Sequence, residues 1–191
     1  MNKTAGFAGL VGAIAVFAMT FGSAIQPQDS LLGKRAPSIV AVGSDGKEFR
    51  LEEALKKGLV FVYFISTTCP VNDEANKYYE RIHQAFRTKA VTVIGIASDD
   101  LVGFNKWNQS HKLTFPVICD ADYEHIEAYK VKSSPTSLLI GPDGRVSKVW
   151  VGYSESSLKE TIGVIASYLR AEPPSVDFRG APKSTAVGCA I

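Results

Sequence analysis

The stretch LVFVYFISTTCPVNDEANKYYERI, residues 59–82, decides the fold. Residues 59–65 are a continuous apolar run rich in valine and aromatic residues, which is typical of an inner sheet strand that is buried on both faces. The chain then turns polar, and Pro70 can begin a helix because the first helical turn does not need its missing N–H. Cys69 is therefore expected where a buried strand ends and a helix begins.

A cysteine at this junction is in a favourable place for redox chemistry. Unpaired N–H groups and the positive end of the helix dipole stabilise a thiolate, so we expect a lowered pKa for the Cys69 thiol. The thiolate is the species that attacks a disulfide or a peroxide. The sequence thus predicts a redox nucleophile at Cys69, although most free cysteines are inert core residues.

The segments around this unit alternate between strand and helix patterns. Upstream, the Ser-Asp-Gly stretch at 44–46 predicts the turn of a short β-hairpin. Downstream, residues 91–97 and 115–120 predict further strands, and the Pro-Asp-Gly stretch at 142–144 predicts a second hairpin, followed by a helix with a serine cap. This order predicts an α/β domain over residues 37–171, with three α/β/α layers, a mixed central sheet and an N-terminal β-hairpin.

The two ends of the chain differ from the domain between them. Residues 1–24 have one lysine, no acidic residue and a small-residue Gly-Ser-Ala end, which predicts a signal peptide or, if uncleaved, a membrane anchor. Residues 25–36 are predicted as a linker, and the proline-containing segment 172–191 as a flexible tail. We therefore expect an exported protein, periplasmic or otherwise extracytoplasmic, which contacts the membrane only through an uncleaved N-terminal segment.

Composition and motifs exclude several functions. The formal net charge is only +2, and no basic cluster is present, so a nucleic-acid partner is not expected. The sequence has no phosphate-binding loop and no His/Cys spacing typical of zinc or copper sites, so neither a cofactor nor a metal is expected. The three cysteines are an odd number, so at least one is free, pairs with another chain or is redox-active.

Four segments in this order resemble the thioredoxin-like superfamily, and within it the redoxin or AhpC/TSA group of peroxiredoxin-like and TlpA/ResA-like proteins. The resemblance implies a thiol-dependent oxidoreductase, with antioxidant or disulfide-exchange activity, in a thioredoxin-like fold. It also implies a cis proline at Pro135 that shapes the groove for a partner. The segments are GKRAPSIVAVGSDGKEFRLEEAL (33–55), the strand leading into TTCPVN (59–72), FPVICDADYEHIEAYKV (115–131) and SSPTSLLIGPDGRVSKVWVGY (133–153).

The sequence departs from the motifs of these relatives at several positions. Thioredoxins have C-x-x-C, but Asn72 stands where the second cysteine is required. Peroxiredoxins have P-x-x-x-T-x-x-C, and here Val62 and Ser66 replace the proline and the threonine. The arginine usual near the proline loop is absent. The substrate therefore stays open between a hydroperoxide and a protein disulfide, and the alternative is a non-catalytic binding module that has lost its redox pair.

The expected reaction needs a second thiol and hydrogen-bond donors. Thr68 and Ser66 are candidate donors to the Cys69 sulfur. Cys119 ends a strand at the same edge of the sheet, and Cys189 lies in a tail long enough to reach the site; an external small thiol is the third candidate for resolving Cys69. We expect thiolate attack, a mixed disulfide or sulfenic acid, and resolution, with a thiol reductant or a partner redox protein completing the cycle.

Overall fold

The computed structural model describes Met1 and residues 31–191, so the predicted signal peptide lies almost wholly outside the described residues. The described part of the chain folds into seven strands and five helices. The strands are β1 (Val40–Val42), β2 (Glu48–Arg50), β3 (Leu59–Ile65), β4 (Val91–Ala97), β5 (Val117–Cys119), β6 (Thr136–Ile140) and β7 (Val146–Val151). The helices are α1 (Leu51–Leu55), α2 (Pro70–Phe86), α3 (Leu101–His111), α4 (Glu124–Ala128) and α5 (Glu155–Tyr168).

The central sheet has the strand order β5-β4-β3-β6-β7, and β1 and β2 form a separate antiparallel hairpin. Strands β3, β4 and β5 are parallel, whereas β6 is antiparallel to β3 and β7 is antiparallel to β6. The sheet is therefore mixed, as predicted. The register pairs Ile65 with Ala97 and Ala97 with Cys119, so the ends of the three parallel strands lie side by side.

Strand β3 is the centre of the core because every one of its residues is buried. Its side chains alternate between two hydrophobic clusters, one on each face of the sheet. Residues from α2, α3 and α5 cover the face that carries Phe61 and Tyr63, and residues from α1 and α4 cover the face that carries Val62 and Phe64. The predicted three-layer α/β/α arrangement with an N-terminal hairpin is confirmed.

The end of the predicted linker packs against the domain. The Gly33 N–H donates to the Val146 carbonyl at 2.8 Å, and the Val146 N–H donates to the Lys34 carbonyl at 2.9 Å. Leu31 is buried in the same hydrophobic cluster as Val146. Residues 31–36 thus form part of the domain. Within the described residues, no helix is both long enough and apolar enough to cross a membrane.

The C-terminal segment 172–191, predicted as a flexible tail, instead lies along the domain. It contains no helix or named strand, in agreement with its prolines and lack of periodicity. It is nevertheless held, because Phe178 is buried against Tyr78 of α2 with ring centroids 6.2 Å apart. The Tyr78 hydroxyl also donates to the Arg179 carbonyl at 3.3 Å. One buried aromatic side chain and backbone hydrogen bonds have ordered a segment that lacks a repeating pattern.

Candidate active site

Cys69 is the N-cap residue of α2, at the end of the turn that follows β3, and Pro70 is the first helical residue. The Asn72 N–H donates to the Cys69 carbonyl at 2.9 Å, which closes the first turn of the helix. Asp73 in this turn is favourable for the positive end of the helix dipole. The strand–cysteine–helix junction has the predicted geometry, and the Cys69 side chain is fully buried.

Asn72, at the position of the second cysteine of a C-x-x-C motif, is a buried hydrogen-bonding hub. Its Oδ1 accepts from the Ser66 N–H at 3.2 Å and from the Ser134 hydroxyl, and its Nδ2 donates to the Tyr63 hydroxyl at 2.7 Å. The Ser134 hydroxyl in turn accepts from the Ser66 N–H at 3.0 Å. One amide thus connects the end of β3, the first turn of α2 and the loop before β6.

The polar network continues beneath the helix. The Tyr63 hydroxyl donates to Asn76 Oδ1 at 2.9 Å, and the Tyr63 ring stacks on Tyr79 with centroids 3.8 Å apart. Burial raises the pKa of Tyr63 well above its usual range, so the hydroxyl stays protonated and remains a donor. This network fixes the helix start that holds Cys69.

Ser66 and Thr68 lie on the turn between β3 and Cys69, but they do not have the predicted partner. Their hydroxyls lie 3.3 Å from each other, and among the described residues no hydrogen bond joins either hydroxyl to the Cys69 sulfur. The Cys69 N–H instead donates to the Ser66 carbonyl at 3.2 Å. In this oxidised geometry both residues shape the turn, because the sulfur faces the tail and the Ser134 loop.

Pro135 lies in the loop that faces the Cys69 sulfur through its neighbour Ser134. The Ser134–Pro135 peptide bond is cis, as the resemblance implied, and the Ser134 carbonyl oxygen lies 3.9 Å from the Cys69 sulfur. The Pro135 carbonyl accepts from the Gly152 N–H at 2.8 Å, which ties the loop to the end of β7. The loop before β6 therefore forms one wall of the site.

Cys189 forms a disulfide with Cys69, with the two Cα atoms 5.7 Å apart. The tail reaches this position by pairing with the Ser134 loop, whose Ser134 N–H donates to the Cys189 carbonyl at 2.9 Å. Cys69 is fully buried in this arrangement, whereas Cys189 is exposed. Of the three thiol sources left open by the sequence, the structure brings Cys189 to Cys69.

Cys119 is a free thiol at the end of β5. Strand β4 separates it from β3, since Ala97 pairs with both Ile65 and Cys119. Burial raises the pKa of Cys119 to about 11, and the neighbouring carboxylates Asp99 and Asp100 add to the shift. This thiol is therefore protonated at neutral pH, whereas a redox nucleophile reacts as the thiolate.

Sequence reasoning missed two residues of the site. The sequence around Asn72 indicates only the loss of a cysteine, because the partner Ser134 is 62 positions away in the chain. Gly188, which precedes Cys189, is the second residue. A Cβ atom at Gly188 would lie 2.0 Å from the Ser134 carbonyl oxygen and 2.8 Å from the Cys69 sulfur. The Gly-Cys dipeptide in the tail was the available signal for a close backbone approach.

A thioredoxin-like fold with a cysteine at the start of α2 and a cis-proline loop beside its sulfur defines a class, that of the redoxin-type, thiol-dependent oxidoreductases. Residues 32–149 match the AhpC/TSA family. The chain therefore belongs to the AhpC/TSA family, and the predicted resemblance is confirmed.

Named relatives agree with this membership. The thiol-disulfide oxidoreductase ResA of Bacillus subtilis (strain 168) is 29% identical over 135 residues, which cover 70% of this chain and 75% of that protein. ResA of Bacillus thuringiensis subsp. konkukian is 30% identical over 138 residues, which cover 72% of this chain and 79% of that protein.

Solved structures support the fold. A putative thiol:disulfide interchange protein DsbE from Chlorobium tepidum superposes with a TM-score of 0.66 and 22% identity, over 72% of this chain and 97% of that chain. An uncharacterized conserved protein from Geobacillus kaustophilus superposes with a TM-score of 0.68 and 21% identity, over 84% of this chain and 90% of that chain.

Proposed function

We propose that the chain is an exported thiol–disulfide oxidoreductase whose redox centre is the Cys69–Cys189 pair. The observation that carries the proposal is the disulfide between the helix-start cysteine and the tail cysteine. This pair supplies the second thiol that Asn72 does not, so the alternative of a binding module without a redox pair loses its main argument. The names of the ResA relatives, which are thiol-disulfide oxidoreductases, support the same reaction.

In the reducing direction, the Cys69 thiolate attacks one sulfur of a substrate disulfide. A mixed disulfide forms, and the other substrate sulfur leaves as a thiolate. The Cys189 thiolate then attacks the Cys69 sulfur, which releases the second substrate sulfur and forms the Cys69–Cys189 bond. The substrate gains two electrons, and the enzyme loses two.

A dithiol reductant regenerates the enzyme. Its thiolate reaches Cys189 more easily than Cys69, because Cys189 is exposed and Cys69 is buried. Attack on the Cys189 sulfur expels Cys69 as the thiolate, which the start of α2 stabilises. The second thiolate of the reductant then attacks the reductant sulfur of the mixed disulfide, which expels Cys189 as a thiolate and releases the reductant as a disulfide. We assign Pro135 to the wall of the partner groove, and Ser66 and Thr68 to the turn that positions Cys69.

A protein disulfide fits this site better than a hydroperoxide. Val62 stands where peroxiredoxins have the motif proline, and its side chain is buried within β3. Arg145, beyond the hairpin turn, donates from its guanidinium to the Gly33 carbonyl at 2.9 Å and is engaged away from Cys69. No arginine of the loop before β6 can therefore polarise a peroxide O–O bond at the Cys69 sulfur.

Export is supported by two features of the chain. The sequence of residues 1–24 has the charge and small-residue pattern of a signal peptide. An intramolecular disulfide persists in oxidising compartments and is rare in the cytosol. We therefore assign the protein to an extracytoplasmic compartment such as the periplasm, with attachment to the membrane if the N-terminal segment remains.

Turnover assays with three single-cysteine variants test the proposed function. Cys69→Ser must abolish disulfide exchange, and Cys189→Ser must stop turnover at a mixed disulfide on Cys69 that mass spectrometry detects. Cys119→Ser is the matched control and must keep full activity. Turnover of a hydroperoxide faster than of a protein disulfide would assign the peroxide as substrate, and a Cys69 that reacts with neither would overturn the oxidoreductase.

A further inference from the structure

The tail around Cys189 lies in a groove formed by backbone groups. The Ser134 N–H donates to the Cys189 carbonyl at 2.9 Å, and the Ile191 N–H donates to the Lys132 carbonyl at 3.3 Å. Backbone hydrogen bonds of this kind are available to any extended segment, whatever its side chains. The groove therefore holds the tail in one orientation and register.

The same groove continues on the other side of Cys69. The Tyr153 N–H donates to the Ala186 carbonyl at 3.0 Å, and the Ala186 N–H donates to the Tyr153 carbonyl at 2.8 Å. Between Tyr153 and Ser134 the segment passes directly over the Cys69 sulfur. Hydrogen bonds on both sides of Cys69 therefore hold the segment so that its cysteine lies against the Cys69 sulfur.

One position in this register has no room for a side chain. A Cβ atom at Gly188 would lie 2.0 Å from the Ser134 carbonyl oxygen, 2.8 Å from the Cys69 sulfur and 3.0 Å from the Val71 Cβ. All three atoms belong to the site rather than to the tail, and the backbone carbonyl cannot move aside as a flexible side chain can. The neighbouring Val187 is exposed and is not restricted in this way.

We propose that the groove selects substrate polypeptides in which glycine immediately precedes the reactive cysteine. The tail is the internal occupant that reveals this preference. The inference rests on the proposed function, because it uses the same thiolate and the same groove, and it adds the class of substrate: extended segments containing Gly-Cys.

The exchange step then follows from the register. The Cys69 thiolate attacks the sulfur of the bound Gly-Cys segment, a new S–S bond forms, and the substrate disulfide breaks with its other half leaving as a thiolate. The tail and the substrate segment share one groove. The substrate segment must therefore leave the groove, while its cysteine remains joined to the Cys69 sulfur, before the tail can return. The Cys189 thiolate can then attack the Cys69 sulfur and release the substrate cysteine as a thiolate.

The test uses the full chain carrying Cys119→Ser and Cys189→Ser, so that Cys69 is the remaining thiol. Two peptides, acetyl-Ala-Val-Gly-Cys-Ala-Ile and acetyl-Ala-Val-Ala-Cys-Ala-Ile, are supplied as mixed disulfides with thionitrobenzoate. We measure by mass spectrometry how fast each peptide is transferred to Cys69, relative to transfer to free glutathione. We expect the glycine peptide to transfer at least about tenfold faster.

Equal rates, or a faster alanine peptide, overturn the glycine preference while the proposed function stands. Transfer of neither peptide overturns the proposed groove for Gly-Cys segments, whereas the proposed function is overturned separately, by a Cys69 that reacts with neither substrate in the turnover assays. A second measurement uses the tail itself, as the equilibrium between the Cys69–Cys189 disulfide and the reduced protein in a glutathione redox buffer. Gly188→Ala should lower the equilibrium constant for forming the disulfide by about tenfold. Gly163→Ala in α5, where a Cβ would meet nothing within 4 Å, is the matched control and should leave it unchanged.

Discussion

Replacement of Asn72 by alanine tests whether this residue holds the site together. The Asn72 side chain is fully buried and has three partners: the Ser66 N–H at 3.2 Å, the Tyr63 hydroxyl at 2.7 Å and the Ser134 hydroxyl. Asn72→Ala removes all three hydrogen bonds at once and leaves the methyl group that packs at the start of α2.

The expected loss of stability depends on which hydrogen bonds each partner of Asn72 retains in the variant. Tyr63 still donates to Asn76, and the Ser66 N–H still donates to the Ser134 hydroxyl at 3.0 Å. None of the partners is left wholly without a hydrogen bond, so the appropriate value is about 1 kcal/mol for each bond lost. The free energy of unfolding should therefore fall by about 3 kcal/mol in total.

The assay is urea unfolding with excess dithiol, because the Cys69–Cys189 bond is then absent from both proteins. Asn105→Ala, an exposed substitution on α3, is the control and should change the free energy of unfolding by less than about 0.5 kcal/mol. A double-mutant cycle with Ser134→Ala should be non-additive, because the two side chains share a hydrogen bond. If Asn72→Ala lowers the free energy of unfolding no more than Asn105→Ala does, the conclusion that Asn72 holds the site together is wrong.

Four further predictions concern the thiols and the tail. Reduction of the Cys69–Cys189 bond, which closes a loop of sequence separation 120, should lower the free energy of unfolding by up to about 5 kcal/mol. The Cys119→Ser variant keeps this bond, so its urea midpoint should fall by the same amount when dithiol is added. Equal urea midpoints with and without dithiol would contradict the prediction. Because burial raises the pKa of Cys119 to about 11, its alkylation by iodoacetamide should rise about tenfold per pH unit above neutrality, and a plateau below about pH 9 would contradict this. The unfolded thiol ionises near pH 8.5, at about its ordinary value, so the contribution of Cys119 to stability is complete below that pH and is lost as the pH rises toward 11. Phe178→Ala should speed reduction of the disulfide by about tenfold or more, because the tail loses its buried anchor, whereas exposed Val187→Ala should not change the rate.

Local signals in the sequence were sufficient for the sheet and for Cys69. The all-apolar run of β3 and the proline after Cys69 each act over a few residues, so the strand, the helix start and the cysteine between them were predicted correctly. The cis geometry at Pro135 was predicted through the resemblance, since an X–Pro bond is cis in only about one case in twenty.

The other parts of the site depend on contacts between distant positions. Cys189 is 120 positions from Cys69. The length of the tail permits Cys189 to reach Cys69, but this does not show that Cys189 rather than Cys119 is the partner. Phe178 is a single aromatic residue in an irregular segment, so no periodicity indicated that it would be buried. Asn72 occupies the position of a missing cysteine, and its role depends on Ser134, which is 62 positions away in the chain.

The covalent bond between Cys69 and Cys189 also changes how the protein responds to proteolysis. The bond encloses every helix from α2 to α5 and every strand from β4 to β7. A protease that cuts any loop in this interval therefore leaves two fragments on one molecule. They migrate together on a non-reducing gel and separate once a thiol is added, so damage to an oxidised molecule stays concealed until the molecule is reduced.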